Sequence, residues 1–350
     1  MIVGACGFGS TGSSVVTDYL KEYSTFQVID QIEFNWVSAV DGLIDLEYHL
    51  NHPHNRTGDS IYAIERYKKL CHAKEISFQN AGLTPELFQK SVDVFLSSII
   101  QTSWMWDKPG EKKLFDRFVR KILKKINFVS RWEIKHGKRW DKYPYEKVYF
   151  SVKPSCFEEA ARKHVREVLE GMGADFDKPI IMDQPFPGNN PQACFKFFED
   201  PYAVVVDRDP RDNYVFARTK LLGKWHLMPV EPVEEFVKYY RALRKNQPYT
   251  EPNERVMSIK FEDMVYHYDE TTARLREFLH LPDNPNPKSI FNPAISMPNT
   301  QVWKRFPQFA KDVEYIEKEL PEYLFDYTGC PEPDPKGKMF FGKSPLNKRK

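Results

Sequence analysis

The chain predicts an α/β fold, a central parallel sheet flanked by helices, on three observations. Its apolar stretches are nearly continuous aliphatic runs, as strands covered on both faces require, where half-exposed strands would alternate. Each run is followed by polar sequence with a helical period. The first run passes directly into a glycine-rich turn and a helix start, the ordinary strand-to-helix junction of such sheets.

The strands are expected at Ile2–Gly7 and at residues 26–30, 179–183, 203–207 and 255–261. Helical periods occupy residues 13–23, 157–172, 212–222, 233–246 and 268–279. Strand, helix, strand in that order calls for parallel pairing through right-handed crossovers.

Composition narrows the function classes. At 350 residues the chain has room for one large domain, and 41% hydrophobic content supports a sizeable core. Fifty-one Lys and Arg against 49 Asp and Glu leave a net charge of +2, so the whole chain is no polyelectrolyte built for nucleic acid. The five cysteines, Cys6, Cys71, Cys156, Cys194 and Cys330, are odd in number and lack CxxC spacing, which suggests neither a disulfide framework nor a structural zinc site. No apolar run reaches the ~20 residues of a membrane span. The N-terminus has no basic region before its apolar run, so it reads as a strand and not a signal peptide, and the protein is expected in the cytoplasm. Asn55-Arg56-Thr57 is then a chance sequon.

Residues 46–149 break the rhythm, being polar, aromatic and helical in tendency. Between Trp104 and Lys153 stand 15 Lys and Arg against 6 Asp and Glu, with Trp104, Trp106, Trp132 and Trp140 interleaved. Basic residues attract anionic acceptors and aromatic faces stack on rings, so this insertion is a candidate acceptor cap; as plain structure it is an amphipathic layer whose lysines stay in water. Residues 1–330 then form a single α/β domain, and 331–350, rich in proline and ending Lys348-Arg349-Lys350, a flexible basic tail.

Two junctions carry chemistry. Gly7-Phe8-Gly9-Ser10-Thr11-Gly12-Ser13-Ser14 links the first strand to a helix and points amides and a helix dipole at one spot suited to phosphate. Gly7 and Gly12 match the Walker A pattern, but Ser13 stands where lysine belongs. The structural alternative is that Ser13 or Ser14 caps the helix. The second junction is Arg208-Asp209-Pro210-Arg211-Asp212, after an aliphatic strand. Capping explains Asp209, Pro210 and Asp212. It leaves two arginines at one sheet edge, where a phosphate would satisfy a guanidinium.

These two junctions, with Lys260-Phe261-Glu262-Asp263-Met264 and the helix through Thr272 to Leu279, resemble the sulfotransferase family of the bacterial type, which takes its sulfonate from 3′-phosphoadenosine-5′-phosphosulfate (PAPS) on a P-loop NTPase-like fold. The resemblance covers residues 1–30 and 180–280. It implies sulfonate transfer to a hydroxyl of a glycan or another small hydroxylated molecule such as a sterol, without metal. By position it implies that Gly9, Ser10, Thr11, Gly12, Ser13 and Ser14 hold the 5′-phosphosulfate and that Arg208 grips the 3′-phosphate. Two departures from the family stand out. Ser10 replaces a common Lys or Arg, and Phe216 replaces a serine eight residues after the arginine. Arg218, then Trp303, Lys304 and Arg305, are the substitutes this implies for the missing contacts.

Transfer to a hydroxyl needs a general base, worth roughly 10²–10⁴-fold. The resemblance points to Glu33, just past the second strand and followed by Phe34, as in glycan sulfotransferases. Asp183, at the end of its strand beside Gln184, is the second candidate. Each is otherwise a loop carboxylate or a turn cap. Two rival classes remain. A nucleotide kinase or NTPase lacking the Walker lysine would use Asp183 or Asp207 for its metal, and a non-catalytic polyanion- or membrane-binding module would use the basic segment and tail.

Overall fold

The computed structural model describes residues 1–52, 58–106, 114–138, 140, 145–221, 228–245 and 253–339. Its strands are β1 (Ile2–Gly7), β2 (Gln27–Ile29), β3 (Thr102–Trp106), β4 (Glu146–Phe150), β5 (Ile180–Asp183), β6 (Pro201–Asp207) and β7 (Val256–Lys260). Five of them form one sheet in the order β2-β5-β1-β6-β7, every pair parallel. All five aliphatic runs read from the sequence are these five strands.

The helices are α1 (Ser14–Leu20), α2 (Leu43–Asn51), α3 (Gly58–Asn80), α4 (Pro85–Ile99), α5 (Leu114–Lys125), α6 (Phe128–His136) and α7 (Phe157–Gly171), then α8 (Gln192–Phe195), α9 (Pro210–Phe216), α10 (Val233–Arg244), α11 (Phe261–Tyr266), α12 (Tyr268–Phe278), α13 (Pro293–Ser296) and α14 (Ala310–Glu319). Among the described residues, no helix is long and apolar enough to cross a membrane.

Because successive side chains on a strand point to opposite faces, each strand feeds two cores. Ile2 and Cys6 of β1, Met182 of β5 and Val205 of β6 pack with α2, α3, α4 and α7. Val3, Ala5, Ile181, Val204 and Val206 face the other way, onto α1, α11 and α12. A third cluster joins α9, α10 and α14 through Tyr214, Phe236, Tyr240, Val313 and Ile316. Where caps are needed the sequence supplies them. Thr84 accepts from Leu87 N at 3.3 Å ahead of Pro85 at the start of α4, a contribution of about 1 kcal/mol.

Residues 46–149 differ from the expected insertion in two ways. Leu46, Leu50, Ile64, Tyr67, Phe88 and Phe95 are buried in the same core as the strand residues, so α2 to α4 are a layer of the fold and not a cap upon it. Within the segment, β3 and β4, with α5 and α6 between them in the chain, pair antiparallel, which composition did not reveal. The helix expected over 212–222 starts at Pro210 and passes into a π-helical turn at Ala217–Leu221. Residues 331–339, read as the start of a free tail, are tied to the body: Gln301 donates to Pro331 O at 3.1 Å and Arg305 to Gly337 O at 2.8 Å. Residues 340–350 lie outside the described residues.

From β1 the chain crosses toward β2, and from β6 it crosses to β7 on the opposite side. Loops that part in this way open a crevice beyond the carboxyl ends of the strands. The glycine loop after β1 and the arginine junction after β6 meet there.

Candidate active site at the carboxyl edge of the sheet

A cavity of about 260 Å³ occupies the crevice, near the lower end of small-molecule sites at roughly 300 Å³. Its walls bring together Gly9, Ser10, Gly12, Ser13 and Ser14 of the first loop, Glu33, Asp183 and Arg208, which the sequence had singled out separately. Thr11 lies behind the wall, buried, its Oγ1 accepting from Phe8 N at 3.2 Å. The loop turns through left-handed backbone at Gly9, Ser10 and Gly12. Among the described residues, the amides of Gly9, Ser10, Thr11, Gly12 and Ser13 donate to no protein acceptor. The first backbone bonds of α1 come from Val15 and Val16, to Gly12 O and Ser13 O. A buried Ser10 Oγ likewise has no partner. Backbone donors are rarely left unpaired inside a protein, and a cluster of them suits an anion.

Ser13 does not cap α1. It makes no cap hydrogen bond, and its Oγ instead accepts from Gln184 Nε2 at 2.9 Å. Gln184 Oε1 accepts from Gly7 N at 3.2 Å. The residue after β5 therefore braces both ends of the loop after β1.

The two arginines of the second junction have different fates. Arg211 is neutralised by Asp209, at 2.7 Å, and Glu317, at 2.8 Å, and lies over the rings of Trp303 and Tyr327. Arg208 is buried and, among the described residues, forms no salt bridge. It donates to the carbonyls of Ser10, at 3.3 Å, and Asn299. Its Nε has no partner, and Phe216 and Phe261 flank its guanidinium at 5.0 and 5.2 Å. Phe216 is thus a face for Arg208.

Behind Arg208 lies a buried acid cluster. Asp209 caps α9, accepting from Arg211 N at 2.9 Å, as the sequence implied. Asp212 accepts from Gln301 N at 2.8 Å, from Val302 N and from Tyr327 Oη at 2.7 Å, which fastens the 299–303 segment beside the cavity. Burial pushes the Asp212 carboxyl up to about 6, the charge of Arg208 acting against this. Burial pushes Glu262 up to about 8, with Asp209 and Asp212 adding repulsion.

Glu33 and Asp183 come from neighbouring strands. Asp183 ends β5, and its carbonyl accepts from Phe34 N at 2.9 Å. Phe34 and Trp36 are fully buried, their rings meeting edge to face at 6.0 Å. That anchor leaves Glu33 exposed on the cavity wall. A third carboxylate on the wall, Asp18, lies 3.6 Å from Lys21, which also pairs with Asp30 at 2.5 Å.

The structure does not bring Arg218, Trp303 or Lys304 to the cavity wall. Arg218 pairs with Glu231 at 2.6 Å and lies over Phe309. Lys304 pairs with Glu332 at 2.6 Å. Trp303 supports Arg211. Asp207, the rival class's metal-binding acid, accepts from Nε and Nη2 of Arg244, at 2.7 and 2.5 Å. None of the four tryptophans of the basic segment lines the cavity. Sequence reasoning missed Gln184, Phe261 and Asn299, which do. Gln184 carried a signal, being next to a strand end, but Asn299 stands some ninety positions from the arginine it meets and carried none. Among the described residues, no group of three or more His, Cys, Asp or Glu side chains is arranged to hold a metal ion.

No family model and no curated protein matches this sequence. Among solved structures, the chain is similar to the Sulfotransferase Domain from the Curacin Biosynthetic Pathway at a TM-score of 0.35 and 13% identity, over 82% of this chain and 75% of that one. The α/β class rests on the five-stranded parallel sheet itself.

Proposed function

We propose that the chain transfers a sulfonate group from PAPS to a hydroxyl of a small or glycan acceptor. The observation that carries this reading is the run of five loop amides that, among the described residues, have no protein acceptor, beside a buried arginine that forms no salt bridge among those residues. Such a pair of features fits a ligand with anionic groups at two points, as the 5′-phosphosulfate and 3′-phosphate of PAPS provide. In the reaction, the acceptor oxygen attacks sulfur, the bond from sulfur to the 5′-phosphate oxygen breaks, and the acceptor proton passes to a carboxylate. Loop amides stabilise the charge that gathers on the departing phosphate. Of the three carboxylates on the wall, Asp18 is paired with Lys21, and of Glu33 and Asp183 the more exposed Glu33 takes the proton in this reading. The motif resemblance of the loop and the Arg208 junction points the same way.

A kinase is the less suited reading because Ser13 replaces its lysine and Arg244 occupies Asp207. Calorimetric titration with 3′-phosphoadenosine 5′-phosphate in chelator should show binding. Arg208→Ala should weaken it by at least ~1.5 kcal/mol, the scale of a charged hydrogen bond. Binding of magnesium–ATP in place of the bisphosphate would move the chain to the kinase class.

A further inference from the structure

Among the described residues, the helix pair α5 and α6 combines a strong basic excess with several exposed large apolar side chains. Residues 114–138 carry eight Lys and Arg against two Asp and Glu. On α5 and the residue after it, Phe118, Ile122 and Ile126 stand one helical turn apart and are 63%, 45% and 52% exposed. On α6, Phe128 and Ile134 are exposed too. Lys121, Lys124, Lys125, Arg131, Lys135 and Lys138 are exposed around them. One of the segment's two acids, Glu133, is turned to other work: its Oε1 accepts from Trp140 N at 3.0 Å and from Tyr145 Oη at 2.7 Å. Single exposed apolar residues need no explanation, but a row at helical spacing bordered by lysines does.

We propose that this face docks on an anionic lipid bilayer, the row from Phe118 to Ile126 entering the acyl boundary while the surrounding lysines meet lipid phosphates. An amphipathic helix with a basic polar side and large apolar residues on the other has the chemistry of an interfacial anchor. A polyanion such as nucleic acid or heparin would use the lysines and leave the apolar row in water. A protein partner would need no anionic lipid. The bilayer uses both features. The inference is independent of the sulfonate-transfer reading, since none of these side chains lines the cavity.

The test is flotation of the full chain with vesicles of phosphatidylcholine alone and with phosphatidylserine added. Binding is expected to the anionic vesicles only and to weaken with salt. The double variant Phe118→Ser, Ile122→Ser should lower partitioning by roughly tenfold, and Lys121→Gln, Lys124→Gln, Lys125→Gln should do the same. Both variants should keep the wild-type circular dichroism and affinity for 3′-phosphoadenosine 5′-phosphate. No binding to anionic vesicles would overturn the proposal. So would loss of binding with the lysine variant alone, which would mark a charge-only polyanion surface, and so would a concentration-dependent dimer abolished by the serine variant.

Discussion

Gln184 Nε2 donates to Ser13 Oγ at 2.9 Å, while its Oε1 accepts from Gly7 N at 3.2 Å. One amide therefore spans the end of β1 and the end of the glycine loop, and it does so from left-handed backbone at φ 51°. Such a conformation costs a non-glycine residue roughly 1–2 kcal/mol and persists where the surroundings require it. The serine that replaces the Walker lysine is thus a bracing point, which leaves its amide for a ligand.

Gln184→Asn tests the brace. Asparagine tolerates left-handed backbone well, so strain is not increased, yet its shorter amide does not reach both partners. Leaving Gly7 N or Ser13 Oγ unpaired should cost about 1–3 kcal/mol in urea unfolding, with weaker binding of 3′-phosphoadenosine 5′-phosphate. An unchanged midpoint and affinity would show that the loop holds its shape without Gln184.

Gly9 and Gly12 separate backbone strain from packing. Both are left-handed, at φ 83° and 85°. A Cβ on Gly9 meets nothing within 4 Å, whereas one on Gly12 falls 2.6 Å from Phe261 Cδ2. Gly9→Ala should cost the left-handed penalty alone, about 1 kcal/mol. Gly12→Ala adds displacement of Phe261, which flanks Arg208, so it should lose more stability and also bisphosphate affinity. Equal losses in the two variants would deny the Phe261 contact any part in the site.

What could be read from the sequence was whatever a local pattern carries. The five buried strands showed as aliphatic runs, and Asp209-Pro210 showed as a helix start, because each signal lies within a few residues. The antiparallel pair of β3 and β4 was lost among basic and aromatic residues whose composition reads as helical. Arg208 and Arg211 look alike in sequence. Only the fold brings Glu317 and Asp209 to one, and Ser10 and Asn299 carbonyls to the other. The alternates Arg218 and Lys304 were near in sequence or type, yet Glu231 and Glu332 claim them.

The buried acids set a pH dependence. Burial raises Glu262 from 4.5 to about 8 and Asp212 from 3.8 to about 6. Between those values the folded state holds protons that the unfolded chain has released, so stability is greatest at the acid end of the window and falls as pH rises toward 8. Glu262→Gln mimics the protonated carboxyl. It should match the wild type in urea only near pH 4, below the carboxyl's ordinary value of 4.5, and exceed it by a margin that grows toward pH 8, on the order of 1 kcal/mol or more. A variant less stable than wild type at pH 8 would mean that the carboxylate, once ionised, is held by its surroundings.

In the proposed sulfonate transfer, the choice between Glu33 and Asp183 decides where the acceptor proton goes. Both line the cavity, and the Phe34 N to Asp183 O bond at 2.9 Å ties their backbones together, so either side chain is within the same wall. Their surroundings differ: Glu33 is exposed, while Asp183 is half-buried at the strand end. An exposed carboxylate can change partners as acceptor enters and product leaves, which a base must do at each turnover. Glu33→Gln keeps the shape and removes the base, so kcat should fall by roughly 10²-fold or more, with bisphosphate affinity intact because the loop amides and Arg208 are untouched. Asp183→Asn, assayed on the same acceptor, should lower activity less. If Asp183→Asn abolishes turnover while Glu33→Gln is near normal, the proton goes to the end of β5. A loss of bisphosphate affinity in Glu33→Gln would instead make Glu33 part of the loop's support.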